Sequence, residues 1–213
     1  MESATEPRRI VVLSAGLGVP SSSRLLADQL AAATQRSLAD LGVQSEIQVV
    51  ELRDYAVDVA NNFVTGFAAP RLAELISAVE SADGLVAVSP VFSASFSGLF
   101  KSFFDVVDPK ALEGTPVLLG ATAGTDRHQM VLDYAMRPLF GYFRSRVVPT
   151  AVFAGPQDWG TADDGGQRGT LADRIERAGR ELAGIIAEAP ARRREDDMVS
   201  LPFEQLLAGI GSR

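Results

Sequence analysis

The sequence predicts an α/β fold, a doubly wound five-stranded parallel sheet in the strand order 2-1-3-4-5 with helices on both faces. Two observations predict this class. Short apolar runs rich in β-branched residues alternate five times with segments of helical periodicity. Most of these runs are apolar throughout rather than on alternate residues, as in strands that are buried on both faces of a sheet. Right-handed crossovers then leave few topologies for five such units.

The elements follow from the positions of these patterns along the chain. The strands are predicted at residues 10–13, 45–52, 84–88, 116–121 and 147–154. The helices are predicted at residues 24–41, 70–81, 99–107, 127–145 and 170–189. We expect Gly42 to end the first helix and Pro138 to kink the fourth. Residues 53–69 and 155–169, which have no clean period and contain glycine, are predicted to be loops, the first with or without a short turn of helix.

The composition fits one globular domain and excludes several functional classes. The chain has 213 residues, of which 46% are hydrophobic. We predict a domain at residues 9–190, a disordered N-terminus at 1–8 and a C-terminal tail at 191–213. A net charge of −7 argues against a protein that coats nucleic acid or anionic membrane. The absence of cysteine and the single histidine exclude disulfides and metal sites built from cysteine or several histidines.

The N-terminal sequence and the lengths of the apolar runs bear on localisation. The first nine residues are polar and charged, unlike a secretory signal. No apolar run approaches the ~18 residues of a membrane span. We therefore expect a cytoplasmic protein.

Small residues and hydroxyls follow the first predicted strand. The loop at 14–20 contains Gly16 and Gly18, and three serines at 21–23 stand where the next helix begins. Small residues let a ligand approach the backbone closely, and a helix start offers free N–H groups and a partial positive charge. We therefore predict a pocket for an anion, most simply a terminal phosphomonoester. The alternative, which the loop alone leaves open, is that Ser22 only caps the helix.

Two other phosphate-binding loops fit the sequence less well. A dinucleotide fingerprint requires a third glycine at the position that Ser21 occupies. A P-loop requires a Gly-Lys pair, and the chain contains none. The serine-rich loop therefore favours a mononucleotide over a dinucleotide or a nucleoside triphosphate.

Two further loops are predicted at the same edge of the sheet, because the carboxyl ends of the strands meet there. Residues 89–98 after the third strand are rich in hydroxyls and include Phe92, a ring that can lie against a flat ligand. The simpler interpretation of this loop is a turn in which Ser97 caps the next helix. Residues 122–126 after the fourth strand are small and polar and lead into His128. Together the three loops predict a flat, phosphate-bearing ligand such as FMN.

Four segments give the chain a specific resemblance. They read SSSR at 21–24, SPVFSASFSGLFKSFFD at 89–105, ATAGTDRH at 121–128 and DYAMRPLF at 133–140. With these motifs the chain resembles the NAD(P)H-dependent FMN reductases of the flavodoxin-like superfamily, in particular the reductase components of two-component flavin monooxygenase systems. The resemblance covers about residues 9–190. It implies bound FMN, NAD(P)H as co-substrate, a separate flavin-dependent monooxygenase as partner, and a homodimer or homotetramer.

The resemblance also assigns roles to residues. It implies that the FMN phosphate is held by Ser14, Ser21, Ser22, Ser23 and Arg24. It implies that the isoalloxazine ring and ribityl chain lie against Pro90, Val91, Phe92 and Ser93, and that the polar ring edge contacts Thr122, Ala123 and Gly124. Phe92 replaces a tyrosine that is usual in the family, and Ala123 replaces a glycine that many members have. No residue is expected to be catalytic, because the flavin itself accepts the hydride.

Several alternatives stay open. His128 lies either near the flavin or the nicotinamide nucleotide, or is a partly exposed residue in the first turn of a helix. The protein is alternatively an FMN-bound quinone or azo reductase, a flavodoxin-type electron carrier or a nucleotide-binding sensor.

Three features of the C-terminal half have structural interpretations. The predicted helix at 127–145 is apolar on more than one side, which indicates a dimer interface or a central core helix. The three arginines at 192–194, which three acidic residues follow, are predicted to form a solvated tail. Residues 203–210 are predicted to form a short amphipathic helix.

Overall fold

The computed structural model of the chain describes residues 6–159 and 169–192. Its centre is one mixed sheet, in which all but one of the pairings are parallel. The strands are β1 (Arg8–Ser14), β2 (Ser45–Glu51), β3 (Gly84–Phe92), β4 (Ser95–Phe96), β5 (Pro116–Thr122), β6 (Arg146–Val147) and β7 (Val152–Ala154).

The predicted α/β class and parallel sheet are confirmed, and the strand order differs in detail. β2, β1, β3 and β5 are parallel neighbours in that order. Two short segments, β6 and β7, pair with the beginning and the end of β5 and together fill the fifth position. β4 is an antiparallel addition that pairs with the end of β3. The predicted order 2-1-3-4-5 thus describes the parallel strands if β5 takes the fourth position and β6 with β7 the fifth. β4 adds an antiparallel strand outside this order.

Helices cover both faces of the sheet, as predicted. They are α1 (Ser22–Asp40), α2 (Ala56–Thr65), α3 (Pro70–Glu80), α4 (Gly98–Phe104), α5 (Arg137–Tyr142) and α6 (Leu171–Glu188). α1 and α6 form one core with Ile10 and Val12 of β1. α2 to α5 form the other core, which takes Val11 and Leu13 from the opposite face of the same strand. β1 is apolar throughout because its alternate residues enter two different cores.

α1 and α6 approach each other closely at Gly179. A Cβ atom built on this glycine would lie 2.8 Å from the backbone carbon of Ala33 and 2.9 Å from the backbone nitrogen of Thr34. Cβ atoms do not tolerate such contacts with backbone, so this crossing requires glycine. α6 begins at the predicted cap, Thr170, which forms a capping box with Asp173.

The prediction of a loop at 53–69 is wrong. The chain here forms a 3₁₀ turn at Leu52–Tyr55 and then α2, which ends at a left-handed glycine. Val59 is the buried residue of α2, whereas Val57 and Val64 are 72% and 87% exposed. Because Val57 and Val64 face outwards while Val59 is buried, the apolar residues of this segment do not mark its buried face, and their spacing gives no clean helical period.

The prediction of one continuous helix at 127–145 is also wrong. The segment divides into a 3₁₀ turn at Asp126–His128, a π-helical segment at Leu132–Met136, and α5. At the end of the π segment a backbone N–H donates to the carbonyl of Leu132, five residues earlier. Pro138, which has no N–H, follows in the first turn of α5, where the missing donor costs nothing. The proline therefore accompanies a change of helix type where we expected a kink.

Arg192 does not belong to a solvated tail. Its backbone N–H donates to a carboxylate oxygen of Asp83 at 2.9 Å, and its guanidinium donates to three backbone carbonyls. Burial lowers the pKa of Arg192, and the nearby Asp83 opposes this effect. The solvated-tail interpretation is therefore wrong for Arg192. Residues 193–213, with the helix predicted at 203–210, lie outside the described residues.

β1 begins at Arg8, inside the range predicted to be disordered. The predicted loop at 155–169 starts with a 3₁₀ turn at Pro156–Trp159, and residues 160–168 of it lie outside the described residues. Within residues 6–159 and 169–192, no helix combines the length and the apolarity that crossing a membrane requires.

Candidate functional site

The carboxyl ends of β1, β3 and β5 form one edge of the sheet. Ser14, the last residue of β1, is aligned with Val88 of β3, and the N–H of Ala15 donates to the Val88 carbonyl at 2.9 Å. Pro90 is aligned with Thr122, the last residue of β5. The register thus brings together the three loops that the sequence places at this edge.

The loop after β1 leads into the N-terminus of α1. Ser21 caps the helix, since its hydroxyl accepts a hydrogen bond from the N–H of Arg24 at 3.2 Å. The alternative that Ser22 is the cap is therefore wrong by one residue. Among the described residues, none accepts a hydrogen bond from the backbone N–H groups of Ser22 and Ser23. The first turn contains no acidic side chain, so the positive end of the helix dipole is open to an anion.

Gly16 allows this loop to fold back onto the helix start. A Cβ atom at Gly16 would lie 2.1 Å from Ser21 Oγ and 3.2 Å from Ser23 Cβ. The loop's own packing therefore requires glycine at this position. The next four residues, 17–20, are exposed and include a cis peptide bond before Pro20.

Three serine and threonine hydroxyls lie buried beneath the loop. Ser23 Oγ and Thr122 Oγ1 share a hydrogen bond of 2.7 Å, and both side chains are buried. Ser14 Oγ is also buried and has no hydrogen-bond partner in the part of the chain that the structure describes. An unpaired buried hydroxyl is costly, so Ser14 marks a place where a ligand atom or a water molecule would restore a hydrogen bond.

Charged side chains flank the loop on its β2 side. Arg24 donates from Nε to Asp28 Oδ1 at 2.8 Å, and its Nη1 lies 3.9 Å from Glu51 Oε1. Arg53 donates from Nη1 to the carbonyl of Gly18 at 2.7 Å, while its Nη2 is paired with Glu51. Glu51 and Arg53 were not among the predicted site residues. Their position was the available signal, because β2 lies next to β1 in the predicted order.

The loop after β3 is a hairpin that rises above the sheet edge. β3 is longer than predicted and continues for four residues beyond Val88, which is aligned with Ser14. The chain then turns through Ser93 and Ala94, whose φ angles are 49° and 68°. Positive φ at both positions is typical of type I′ turns, which favour Asn-Gly. Phe92 precedes the turn and is 47% exposed, so its ring is accessible to a ligand.

Ser89 and Ser97 fix the base of this hairpin. The N–H of Ser97 donates to Ser89 Oγ at 2.9 Å, and the Ser97 hydroxyl accepts from the N–H of Phe100 at the start of α4. The cap that the simpler interpretation assigned to Ser97 is therefore present. The cap and the exposed hairpin coexist, because the hairpin stands between β3 and the capped helix.

The loop after β5 is small and open. The N–H of Ala123 donates to the Ala154 carbonyl at 3.3 Å, which ties this loop to β7. A Cβ atom at Gly124 would meet no atom of the described chain within 4 Å. His128 ends the following 3₁₀ turn, is half-buried, and forms no hydrogen bond or ion pair with any described residue. The contacts of His128 therefore leave its predicted role untested.

The arrangement fits a flavin mononucleotide. The open N-terminus of α1 and Arg24 suit a phosphate group. The unpaired hydroxyl of Ser14 suits a further polar contact, and the exposed ring of Phe92 and the open space at Gly124 suit a flat ring system.

Comparison with known proteins assigns the family. Residues 8–160 match the sequence profile of the NADPH-dependent FMN reductases. The chain belongs to this family. Within it, the FMN reductase (NADPH) of Pseudomonas aeruginosa is 39% identical over 157 residues, which cover 73% of this chain and 81% of the relative. The NADH-dependent FMN reductase SfnE of Pseudomonas putida is 33% identical over 190 residues, which cover 88% and 97%.

Solved structures agree with this assignment to the FMN reductases. An oxidoreductase from Corynebacterium diphtheriae is 42% identical and superimposes with a TM-score of 0.82, covering 87% of this chain and 100% of that one. The apo form of the NADH:FMN oxidoreductase EMOB is 25% identical, with a TM-score of 0.70 and coverages of 88% and 94%. The resemblance to the NAD(P)H-dependent FMN reductases, inferred from the four motifs, is thereby confirmed.

Proposed function

We propose that this FMN reductase takes a hydride from NADH or NADPH, transfers it to FMN, and releases the reduced flavin to a separate flavin-dependent monooxygenase. The family supports the coarser statement directly: the chain is an NAD(P)H-dependent FMN reductase, with FMN and NAD(P)H as its cofactor and co-substrate. One relative is named for NADPH and another for NADH. Both nucleotides are therefore used in the test below.

The observation that carries the proposal is the open N-terminus of α1. A phosphate group placed there would meet the unpaired N–H groups of Ser22 and Ser23, the exposed hydroxyl of Ser22 and the guanidinium of Arg24. A carboxylate in this turn would repel the phosphate, and the turn has none. Ser23 contributes its backbone N–H rather than its hydroxyl, which is engaged with Thr122.

The hairpin and the β5 loop would position the ring. We assign Pro90, Val91, Phe92 and Ser93 to one side of the ring and ribityl chain, as the resemblance implies. Thr122, Ala123 and Gly124 would face its polar edge, where the open side of Gly124 leaves room. Bound FMN supplies the hydride acceptor, so the chain has only to bind, to orient and to release.

The test is anaerobic stopped-flow spectroscopy of the purified protein with excess FMN and either NADH or NADPH. We expect the absorbance of oxidised flavin to fall over many turnovers of free FMN. Bleaching limited to one equivalent of flavin per protein would instead support the quinone or azo reductase. The absence of bleaching with FMN bound would support an electron carrier or a sensor.

A paired variant tests the phosphate site. Replacement of Ser22 and Arg24 together by alanine should weaken FMN binding by about 1.5–3 kcal/mol, the scale of charge-assisted hydrogen bonds. Arg36→Ala makes the same change of charge near the other end of α1 and should leave FMN affinity unaltered. Unchanged FMN affinity in the paired variant would show that the FMN phosphate does not bind at the N-terminus of α1. His128→Ala separately tests for an effect on the KM of the nicotinamide nucleotide without loss of flavin.

We further propose that the protein is a homodimer or homotetramer. The helical layer on the α2–α5 side exposes large apolar and aromatic side chains on its outer surface. They are Val57, Phe63, Val64, Phe67, Met130, Tyr134 and Tyr142. So much exposed apolar surface on one layer is typical of an interface. Light scattering after size exclusion should give at least twice the monomer mass of 22.6 kDa, and Phe67→Ser with Tyr134→Ser should reduce it. A monomeric wild type would contradict this proposal.

A further inference from the structure

Glu51 stands at the edge of the loop after β1 (residues 14–20) and faces two arginines. It is the last residue of β2 and is aligned with Ser14, from which the loop departs. Its side chain is only 14% exposed. One carboxylate oxygen is paired with Arg53 Nη2, and the other lies 3.9 Å from Arg24 Nη1. The Glu51 carboxylate thus lies between both cations, while the more exposed Asp54 lies 3.8 Å from Arg53 Nε.

Arg53 connects this carboxylate to the loop itself. Its second guanidinium nitrogen, Nη1, donates to the carbonyl of Gly18 at 2.7 Å. The ion pair with Glu51 orients the planar guanidinium of Arg53, and this orientation directs Nη1 to the Gly18 carbonyl. The exposed loop residues 17–20 are therefore tied to the end of β2 through a side chain.

Arg24 is shared between competing acceptors. It forms an ion pair with Asp28 at 2.8 Å, one turn later in α1, where both side chains are more than a third exposed. Its Nη1 lies 3.9 Å from the less exposed Glu51. A phosphate at the helix start would compete with Glu51 for the positive charge of Arg24. The Glu51 carboxylate would also repel the phosphate. Because Glu51 is less exposed than Asp28, solvent screens its charge less.

We infer that Glu51 is a positioning residue that limits the affinity of the site for the FMN phosphate. It orients Arg53 on the loop and at the same time offsets the positive charge of Arg24 and Arg53. This inference rests on the proposed phosphate site at α1. Its consequence is a flavin that leaves readily, as a protein that hands over reduced flavin requires.

The test compares FMN with riboflavin, which lacks the phosphate. Glu51→Gln keeps the size and the carbonyl oxygen of the side chain but removes the charge. We expect the Kd of FMN to fall by about three- to tenfold, because a phosphomonoester carries close to two negative charges at neutral pH. The Kd of riboflavin should change by less than about twofold, since no charge is involved. Flavin fluorescence quenching measures both.

A remote variant controls for net charge. Glu46→Gln makes the same change on the exposed side of β2, about 16 Å away along the strand. It should leave the Kd of FMN within about twofold of the wild type, because solvent and salt screen exposed charges at that distance. A similar tightening in both variants would show that only overall charge matters and would overturn the role of Glu51.

A second variant keeps the inference testable if Glu51→Gln is unstable. Arg53→Gln removes a cation and the hold on Gly18, so FMN should bind about three- to tenfold more weakly, and riboflavin should be unaffected. Weaker binding of both flavins in both variants would identify Glu51 as a structural brace only and would overturn the inference. If the wild type binds FMN no better than riboflavin, the proposed phosphate site itself fails. If it discriminates and Glu51→Gln leaves that ratio unchanged, only the role of Glu51 fails.

Discussion

Ser23 Oγ and Thr122 Oγ1 lie 2.7 Å apart in a buried hydrogen bond that joins residues 99 positions apart in the sequence. The bond connects the first turn of α1 with the end of β5. These are the elements that carry the loops assigned to the phosphate and to the polar edge of the ring. This bond therefore joins two parts of the candidate site directly.

Thr122→Val tests this bond. The change keeps the shape of the side chain but leaves the buried Ser23 hydroxyl without its partner, so the free energy of unfolding should fall by about 1–3 kcal/mol. Ser23→Ala in the same protein should restore part of the loss, because no polar group then remains unpaired. Urea denaturation measures both. If the losses of stability in the two single variants, Thr122→Val and Ser23→Ala, add up to the loss in the double variant, the hydroxyls do not interact.

Asp83 should be important for stability. Its buried carboxylate accepts hydrogen bonds from the backbone N–H groups of Arg9 and Arg192 and from the guanidinium of Arg8. Asp83→Ala leaves these donors unpaired and should lower the free energy of unfolding by about 3–5 kcal/mol. Asp133→Ala breaks an exposed pair with Arg137 and should cost less than about 1 kcal/mol. Equal effects of the two changes on the urea midpoint would contradict the structure.

Replacement of Ala94 by glycine should stabilise the hairpin turn between β3 and β4. Ala94 has a φ of 68°, a conformation that costs an L-residue about 1–2 kcal/mol. Ala94→Gly should therefore raise the free energy of unfolding by about 0.5–1 kcal/mol, after the entropy cost of glycine is included. Ala32→Gly within α1 should act in the opposite direction, by about 1 kcal/mol. A lower melting temperature for Ala94→Gly would show that the turn is not strained.

The start of α6 should depend on pH through Asp173. Hydrogen bonds from the backbone and then from the side chain of Thr170 lower the pKa of Asp173 below its ordinary value of 3.8. The stabilisation is therefore present above 3.8 and is lost as the pH falls through the lower pKa of the folded state. Thr170→Ala removes the side-chain bond and should raise the NMR titration midpoint of Asp173 part of the way to 3.8. A midpoint at or above 3.8 in the wild type would contradict the capping box.

Sequence patterns predict the centre of the sheet well because β1, β5 and most of β3 are buried on both faces. The apolar runs at β1, β3 and β5 have few other uses in a globular protein, and their order along the chain determines their neighbours. α2 was missed because Val57 and Val64 are exposed, so its apolar residues do not mark the buried face. The π segment before Pro138 was missed because hydrophobic spacing does not distinguish one helix type from another.

The candidate site was predicted in its loops but not in its long-range contacts. Serines beside a helix start indicate an anion site locally, so 21–24 are recognisable from their neighbours alone. That Ser23 turns to Thr122, and that Glu51 holds Arg53 against Gly18, depends on which strands adjoin and on side-chain direction. Arg192 was misassigned for the same reason, since its partner Asp83 is 109 positions away.

The glycine at position 179 has a consequence for the far end of α1. Ala33, against which Gly179 packs, lies 11 residues after Ser22, or about 16 Å along the helix axis. Because α1 is one continuous helix, a change in its packing at Ala33 also changes the position of its N-terminus. A methyl group added at Gly179 would force α1 or α6 to shift at this contact. A shift of α1 would displace the serines at its N-terminus relative to the hairpin and the β5 loop. Substitutions in the core between α1 and α6 can therefore weaken cofactor binding without changing any residue assigned to the site.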